Sequence, residues 1–206
     1  MGKKCFHKIF LLAFLIVFPA NALALTATEV LDKVVTTIQT APSLEVKMNA
    51  RTGKDSFSAQ LTLSREKFRY NAGGLSVYYD GTTQWTVDAD AREVSLTNPT
   101  LNELAEINPL AFVQNYKANY KVSTVSQGGG SYTVRMVAGK KSSFVRSAEV
   151  TINTSTWLPT RVNAYLANGQ TVNITITSAT KGKALSLNAF RYDTKSNRGY
   201  EIIDLR

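Results

Sequence analysis

The chain has 206 residues, with 24 Lys or Arg against 15 Asp or Glu and a formal net charge of +9. Its single cysteine and single histidine, Cys5 and His7, both lie at the N-terminus. If that end is removed, the working protein has no thiol or imidazole, which excludes disulfides, Cys/His zinc sites and nucleophilic catalysis by these groups.

The N-terminus is predicted to be an export signal. Three lysines precede or enter an unbroken apolar run at residues 9–18, and small residues up to Ala24 follow it. A membrane-spanning helix would need about 20 apolar residues, about twice the length of this run. We therefore expect a secretory signal that is cleaved after Ala22 or Ala24, and a periplasmic product.

The part of the chain after the signal is predicted to be one domain. Removal of residues 1–24 leaves residues 25–206 with a net charge of +6. The remaining Lys and Arg residues are scattered and form no long basic run. We expect them to be solvated positions on strand faces, and we expect no nucleic-acid partner.

The first predicted element of this domain is an amphipathic helix. Thr26 and Glu29 have the spacing of a capping box, in which each side chain accepts a hydrogen bond from the other residue's amide. Pro42 would end the helix, since proline has no amide hydrogen to donate. The apolar residues at the spacing of one helix face are Leu31, Val34, Val35 and Ile38.

From residue 44 onward, apolar residues alternate with polar ones, which is the period of a β-strand. Asp80-Gly81 and Asn168-Gly169 are tight-turn signals between such segments, and three glycines at 128–130 indicate a loop. The predicted strands lie at residues 44–50, 57–63, 67–71, 75–79, 83–87, 93–96, 120–125, 132–137, 145–152, 158–166, 171–177, 190–192 and 200–205.

One stretch interrupts the β pattern with helical signals. Thr100 and Glu103 have the capping-box spacing, and Asn108-Pro109 begins a second short helix that runs through Tyr116. A sheet of about a dozen antiparallel strands with one apolar face needs closure or a cover, and the two helical segments are the predicted covers. The apolar residues of this stretch are Leu101, Leu104, Ile107, Leu110, Phe112 and Val113.

No catalytic or metal-binding constellation is predicted. Ser64 and Lys67 match a Ser-x-x-Lys pattern, but they fall in a predicted strand-turn-strand and not at the helix N-terminus that this chemistry needs. Asp88, Asp90 and Glu93 lie at a hairpin tip and lack the glycine and the distant glutamate of an EF-hand loop. We therefore expect a protein that is not an enzyme and that uses no metal and no cofactor.

The distinctive feature that remains is the apolar content of the first half of the domain. The residues alone leave two interpretations open: an ordinary sandwich core, or a groove between the sheet and its covers for an apolar ligand. The aromatic residues concerned are Phe57, Phe68, Tyr70, Tyr78, Tyr79, Trp85 and Phe112.

Five segments carry a family resemblance. They are Tyr-Asp-Gly-Thr-Thr-Gln-Trp at 79–85, Glu-Val-Ser-Leu-Thr-Asn-Pro-Thr at 93–100, Ile-Asn-Pro at 107–109, Tyr-Lys at 116–117 and Ile-Asp-Leu-Arg at 203–206. Together they resemble the LolA-type outer-membrane lipoprotein carrier family, nearest to the LolA-like chaperones of Bacteroidetes-type bacteria. The resemblance extends over essentially the whole domain.

The resemblance implies a mainly β fold, an unclosed antiparallel β-barrel or strongly curved sheet covered by the N-terminal helix and a central helical lid. It implies a soluble periplasmic carrier, expected to be a monomer, that takes acylated lipoproteins from the inner-membrane lipoprotein release complex to an outer-membrane acceptor. In that family a basic residue on an early strand latches the lid, and Arg65 is the nearest match. The apolar cavity and lid would be formed by Leu31, Val34, Val35, Ile38, Met48, Phe57, Leu61, Leu63, Phe68, Tyr70, Tyr79, Trp85, Leu101, Leu104, Ile107 and Phe112.

Two other functions stay open at this point. The same cavity would suit a carrier of another amphiphile, such as a glycolipid. Related folds also serve as lipid-binding sensors of envelope stress that report to a membrane partner. A sensor of this kind normally has a second domain, for which we expect no room in residues 25–206.

Overall fold

The computed structural model describes residues 24–100, 103, 104, 108, 111–140, 143–195 and 199–206. The predicted export signal, except for its last residue, lies outside the described residues. No helix in these ranges is long and apolar enough to cross a membrane.

The N-terminal helix α1 spans Ala27–Thr40, and it begins with the predicted capping box. The Thr26 amide donates to the Glu29 carboxylate at 2.8 Å, and the Glu29 amide donates to the Thr26 hydroxyl at 3.3 Å. The helix ends just ahead of Pro42, as predicted. Its buried apolar face consists of Ala27, Val30, Leu31, Val34 and Ile38.

Twelve strands follow the predicted positions closely. They are β1 Ser43–Thr52, β2 Asp55–Ser64, β3 Lys67–Ala72, β4 Leu75–Tyr79, β5 Gln84–Asp88, β6 Glu93–Thr97, β7 Tyr120–Gly128, β8 Ser131–Ala138, β9 Val145–Asn153, β10 Pro159–Leu166, β11 Thr171–Gly182 and β12 Glu201–Asp204.

The strands form one open sheet in the order β12-β6-β5-β4-β3-β2-β1-β11-β10-β9-β8-β7. Neighbours are antiparallel, except that β12 runs parallel to β6. Because β1 pairs with β11, the two series of strands join in the middle and the sheet stays open at β12 and β7. The predicted mainly β, unclosed architecture is confirmed, with one parallel strand added at an edge.

Tight turns join strands at the predicted places. Gly81 and Gly169 have φ angles of 104° and 84°, which glycine adopts without the strain of a side chain. The Asp88 carboxylate accepts hydrogen bonds from the amides of Asp90 and Ala91, each at 2.9 Å. The acidic residues of this hairpin tip are therefore turn residues, as expected.

One predicted strand, at residues 190–192, is wrong. Leu187–Phe190 is a 3₁₀ helix, and the Phe190 side chain is fully buried where this helix packs across β3. The segment lies across a face of the sheet and packs through its side chains. A run of three alternating residues is too short to distinguish this arrangement from a paired strand.

The central segment between β6 and β7 begins with the predicted capping box. The Thr100 amide donates to the Glu103 carboxylate at 2.7 Å. Helix α2, Ala111–Gln114, and helix α3, Tyr116–Asn119, complete the segment and lead directly into β7. The residues that it adds to the apolar cluster under α1 are Leu104, Val113 and Tyr116.

Cross-strand register divides the side chains of the sheet between two faces. The inner face, defined as the face that shares one apolar cluster with α1, spans both halves of the sheet. One row of it on β1–β4 consists of Val46, Leu61, Tyr70 and Val77. A row that continues from β1 across β11–β8 consists of Ala50, Ile174, Val162, Val150 and Val134.

The opposite, outer face carries a second and smaller apolar cluster on β4–β6. Tyr78, Trp85 and Leu96 are cross-strand neighbours in it. Tyr192 and Tyr200 from the C-terminal segment pack against it, and the Tyr192 ring lies 5.9 Å from the ring of Tyr78. The C-terminal segment therefore covers this part of the outer face.

Candidate ligand-binding face

The inner face, beneath α1 and the central segment, is the candidate binding site. Most of the predicted cavity residues meet there in one apolar cluster. That these side chains contact a ligand stays a prediction. Those buried in the cluster are Leu31, Val34, Ile38, Met48, Leu61, Leu63, Phe68, Tyr79 and Leu104, while Val35 and Tyr70 are half-buried against it.

Trp85 does not lie with the other predicted cavity residues. Gln84 is the cross-strand partner of Tyr79, which points to the inner face, so the next side chain along β5 points to the outer face. Trp85 accordingly packs in the outer cluster with Tyr78. The alternating pattern of β5 gives the period of the strand but does not reveal which face is covered by which element.

The remaining predicted positions divide into two groups. Phe57 is on the inner face by its pairing with Ala50, but it lies beside the β1–β2 turn and is 44% exposed. Leu101 and Ile107 lie outside the described residues, as does the side chain of Phe112. Of the residues predicted to form the lid, Leu104 is therefore the one whose side chain the structure describes.

The second half of the sheet contributes inner-face residues that the sequence prediction missed. The alternation in β8–β10 was visible, but the aromatic residues on which the prediction relied all lie in the first half of the domain. Residues of this kind, each at most 1% exposed, are Val134, Met136, Val150, Ile152 and Val162.

Trp157 was also missed, and it lies near α1. Its ring stacks on Tyr132 at 6.4 Å, and the Lys33 ammonium of α1 lies 5.0 Å from the ring centre. The side chain packs against the main cluster. Trp157 lies in the connection between β9 and β10 and has a φ of 54°. The alternation of a strand does not extend through such a turn, so the sequence pattern gave no signal for this residue.

A polar contact joins the two covers of the inner face. The Tyr116 hydroxyl, from the first residue of α3, donates to the Asp32 carboxylate of α1 at 2.7 Å. The Lys117 ammonium lies 2.7 Å from the same carboxylate. We call Asp32, Tyr116 and Lys117 the cover contact. It gives a structural role to the Tyr-Lys pair noted in the sequence.

Two pKa values in the cover contact, those of Asp32 and Tyr116, are shifted in the directions that hold it together. The Lys117 ammonium and then the Tyr116 hydroxyl lower the pKa of the Asp32 carboxyl through hydrogen bonds. Burial and the hydrogen bond to Asp32 raise the pKa of the Tyr116 phenol well above its usual range. Both shifts favour a phenol that donates to a carboxylate.

Arg65, the predicted lid latch, occupies the turn between β2 and β3 with a φ of 56°. It borders a surface groove of about 260 Å³ together with Gln39 at the end of α1 and Gln114 in α2. Within the described residues the guanidinium makes no hydrogen bond or ion pair. Its latch role stays a prediction, and the observed link between the covers is the cover contact.

The Tyr-Asp-Gly block has a structural function on the outer side of the molecule. The Asp80 carboxylate accepts from the amides of Thr82 and Thr83 at 3.1 and 3.0 Å and from the Arg191 guanidinium at 2.8 Å. Burial alone would raise the pKa of the Asp80 carboxyl, but these hydrogen bonds lower it overall. Asp80 thus ties the β4–β5 turn to the C-terminal segment.

The described residues contain no cluster of three or more His, Cys, Asp or Glu side chains that could hold a metal ion. Their strongest common feature is an apolar face under helical covers, which suits burial of an apolar ligand.

A family model described as "Outer membrane lipoprotein carrier protein LolA" matches residues 20–170. The chain belongs to this family. LolA-like proteins are periplasmic carriers or binding proteins rather than enzymes. A comparison with curated proteins found no match.

Three solved structures are similar to this chain. An uncharacterized conserved protein from Thermus thermophilus is 10% identical, over 86% of this chain and 98% of that chain, with a TM-score of 0.60. A LolA superfamily protein from Nitrosomonas europaea is 13% identical, over 82% and 99% of the two chains, with a TM-score of 0.45. A chain of the Pseudomonas aeruginosa MucA/MucB complex is 12% identical, over 82% and 62%, with a TM-score of 0.44. At these identities the first likeness shows the fold alone.

Proposed function

We propose that this LolA-family protein carries acylated lipoproteins through the periplasm, from the inner-membrane release complex to an outer-membrane acceptor. It would act as a monomer after removal of its export signal at Ala22 or Ala24. The observation that carries the proposal is the inner face itself. Its apolar cluster extends across both halves of the sheet and is closed by two separate helical pieces.

The binding energy of such a site comes from sheltering acyl chains. Burial of a methylene group contributes about 0.8 kcal/mol, so a chain of about 16 carbons gains on the order of 10 kcal/mol. Shape-specific polar contacts are not required for a gain of this size. This agrees with an inner face whose buried side chains are almost all apolar on β1–β4 and β8–β10.

Release of the ligand requires that the affinity is not maximal. Leu31, Val34 and Ile38 of α1 lie against the inner face, and each is at most 1% exposed. An acyl chain must displace these side chains, so part of the gain from burial is spent on their exposure. The covers thereby moderate the affinity of the carrier.

The cover contact is the point at which the two covers would part. The Asp32 and Lys117 side chains are 42% and 64% exposed, so water can replace their ion pair at small cost. An opening there separates α1 from the central segment without disturbing the sheet. The acyl chains would enter between the covers and the inner face.

Native mass spectrometry of the protein isolated from its own periplasm tests the proposal. We expect adducts whose mass and fragmentation identify acylated polypeptides. Glycolipid adducts would favour a carrier of another amphiphile, and the absence of lipid adducts would contradict a carrier function. The same chain with Leu104→Glu serves as the comparison, since its lid should retain less ligand.

A further inference from the structure

The inner face is apolar on most strands but changes character on β5 and β6. Its side chains there are Gln84, Thr86, Ser95 and Thr97, which we call the polar strip. Cross-strand pairing places Gln84 beside Tyr79 and Thr86 beside Val77, and both of these partners belong to the main cluster. The apolar surface therefore has a polar border along β5.

Gln84 is the most unusual member of the polar strip. Its residue is 7% exposed, and its Nε2 group donates to the Thr86 hydroxyl at 3.1 Å. Its Oε1 atom is buried and has no hydrogen-bond partner among the residues that the structure describes. A buried acceptor without a donor costs free energy, and native proteins rarely keep one without a reason.

The chemistry missing at Gln84 is a hydrogen-bond donor beside an apolar surface. In an N-acylated peptide, the amide N–H lies directly next to the acyl chain. A chain that lies on the inner face with its amide at β5 would bring that N–H to the polar strip. Triacylglycerols have acyl chains of the same kind but no donor.

We propose that Gln84 Oε1 accepts a hydrogen bond from an amide N–H at the head of a bound acyl chain. The polar strip thereby selects N-acylated peptides over simple acyl lipids and fixes the direction in which the chains lie. This inference rests on the proposed carrier function. It adds the chemical class of the ligand's head and a residue that recognises it.

The test varies the ligand and the protein together. The ligands are an N-palmitoylated lipopeptide, its analogue with an N-methylated acyl amide, a glycolipid and a triacylglycerol with palmitoyl chains. Binding to the mature protein is measured by displacement of a fluorescent fatty acid. The variants are Gln84→Met, which keeps the shape of the side chain without the amide, and Gln60→Met as the matched control. Gln60 lies in the same sheet on the outer face, by its pairing with Lys47 and Asn71.

We expect N-methylation to weaken binding to the unmodified protein about three- to tenfold, the worth of one hydrogen bond. Gln84→Met should bind the two lipopeptides equally, and Gln60→Met should retain the difference. Triacylglycerol affinity should be the same in all three proteins. Because the N-methyl comparison in the unmodified protein needs no substitution, it holds even if Gln84→Met fails to fold.

Other outcomes overturn the inference in distinguishable ways. Equal binding of both lipopeptides to the unmodified protein would remove the amide contact while leaving the carrier function intact. A difference that persists in Gln84→Met would show that another residue makes the contact. If Gln84→Met weakened the binding of the glycolipid and of no other ligand, the polar strip would recognise hydroxyl donors and not an amide. Failure of every acyl ligand to bind would overturn the carrier function and this inference with it.

Discussion

Removal of one hydroxyl group from the cover contact should loosen α1 without weakening the sheet. Tyr116→Phe deletes the O–H that donates to Asp32 at 2.7 Å and also approaches the Thr28 carbonyl at 3.1 Å. The ring itself is 3% exposed and stays buried as phenylalanine. The variant therefore tests the polar contact separately from the packing.

The magnitude follows from the exposure of the partner. A hydrogen bond to a charged group is worth about 1.5–3 kcal/mol. The Asp32 side chain is 42% exposed, so water replaces part of the loss. We expect a cost of about 1 kcal/mol, which lowers the melting temperature by about 2–4 °C in a domain of this size.

Hydrogen exchange measured by mass spectrometry locates that loss. A change of about 1 kcal/mol in the opening equilibrium speeds exchange about fivefold. Peptides from α1 that exchange by local opening should show it, while peptides from β8–β10 should change only where exchange requires global unfolding. Tyr120→Phe is the matched control, because the Tyr120 hydroxyl donates to the Val145 carbonyl of β9 at 3.1 Å. If both variants speed α1 exchange equally, the cover contact does not hold α1.

Three further predictions concern the same covers. Because the pKa of Asp32 is lowered in the folded protein, its contribution to stability is complete above the unfolded pKa of about 4 and is lost as the pH falls through the folded pKa. When urea unfolding is measured from about pH 6 to pH 3, the free energy of unfolding should therefore fall less steeply with acid in Asp32→Asn than in the unmodified protein. An acyl ligand should shift the fluorescence emission of Trp157, measured in a Trp85→Phe protein, because Trp157 packs against the main cluster. The emission of Trp85, measured in a Trp157→Phe protein, should stay unchanged, because Trp85 packs in the outer cluster. The reverse result would show that Trp85 lines the ligand cavity. Leu104→Glu should reduce lipoprotein transfer by about tenfold or more while its export stays normal. Leu187 on the 3₁₀ helix is 40% exposed, so Leu187→Glu should transfer normally. Equal transfer by both variants would show that Leu104 is not part of the lid.

Much of the fold could be predicted because it depends on local patterns. The capping box at Thr26 and Glu29 and the alternation in β1 and β2 are readable from neighbouring residues, and the structure confirms both. The face on which a strand is buried depends on what packs there. Trp85 and Val77 have equally clear alternation, yet they belong to different clusters because the C-terminal segment covers the outer face at β5.

The polar contacts of the site could not be predicted from the sequence for a similar reason. Asp32 and Tyr116 are 84 positions apart, and although Tyr116 belongs to a motif, nothing in the sequence connects it with Asp32. Gln84 was noted as part of a motif, but its unpaired acceptor is visible only when register places it beside Tyr79. Long-range contacts of single side chains leave no periodic signal.

The central claim is that the covers part at Asp32 and Lys117 to admit acyl chains. These two side chains are 2.7 Å apart, so a water-soluble carbodiimide can join them as an amide with loss of one water. The other ion pairs in the described ranges involve arginine, which does not form this link. Uptake of an N-palmitoylated lipopeptide by the linked protein is therefore the most direct measurement. The account predicts that the linked protein takes up none and that Lys117→Arg, treated identically, takes up as much as untreated protein; full uptake by the linked protein would contradict it.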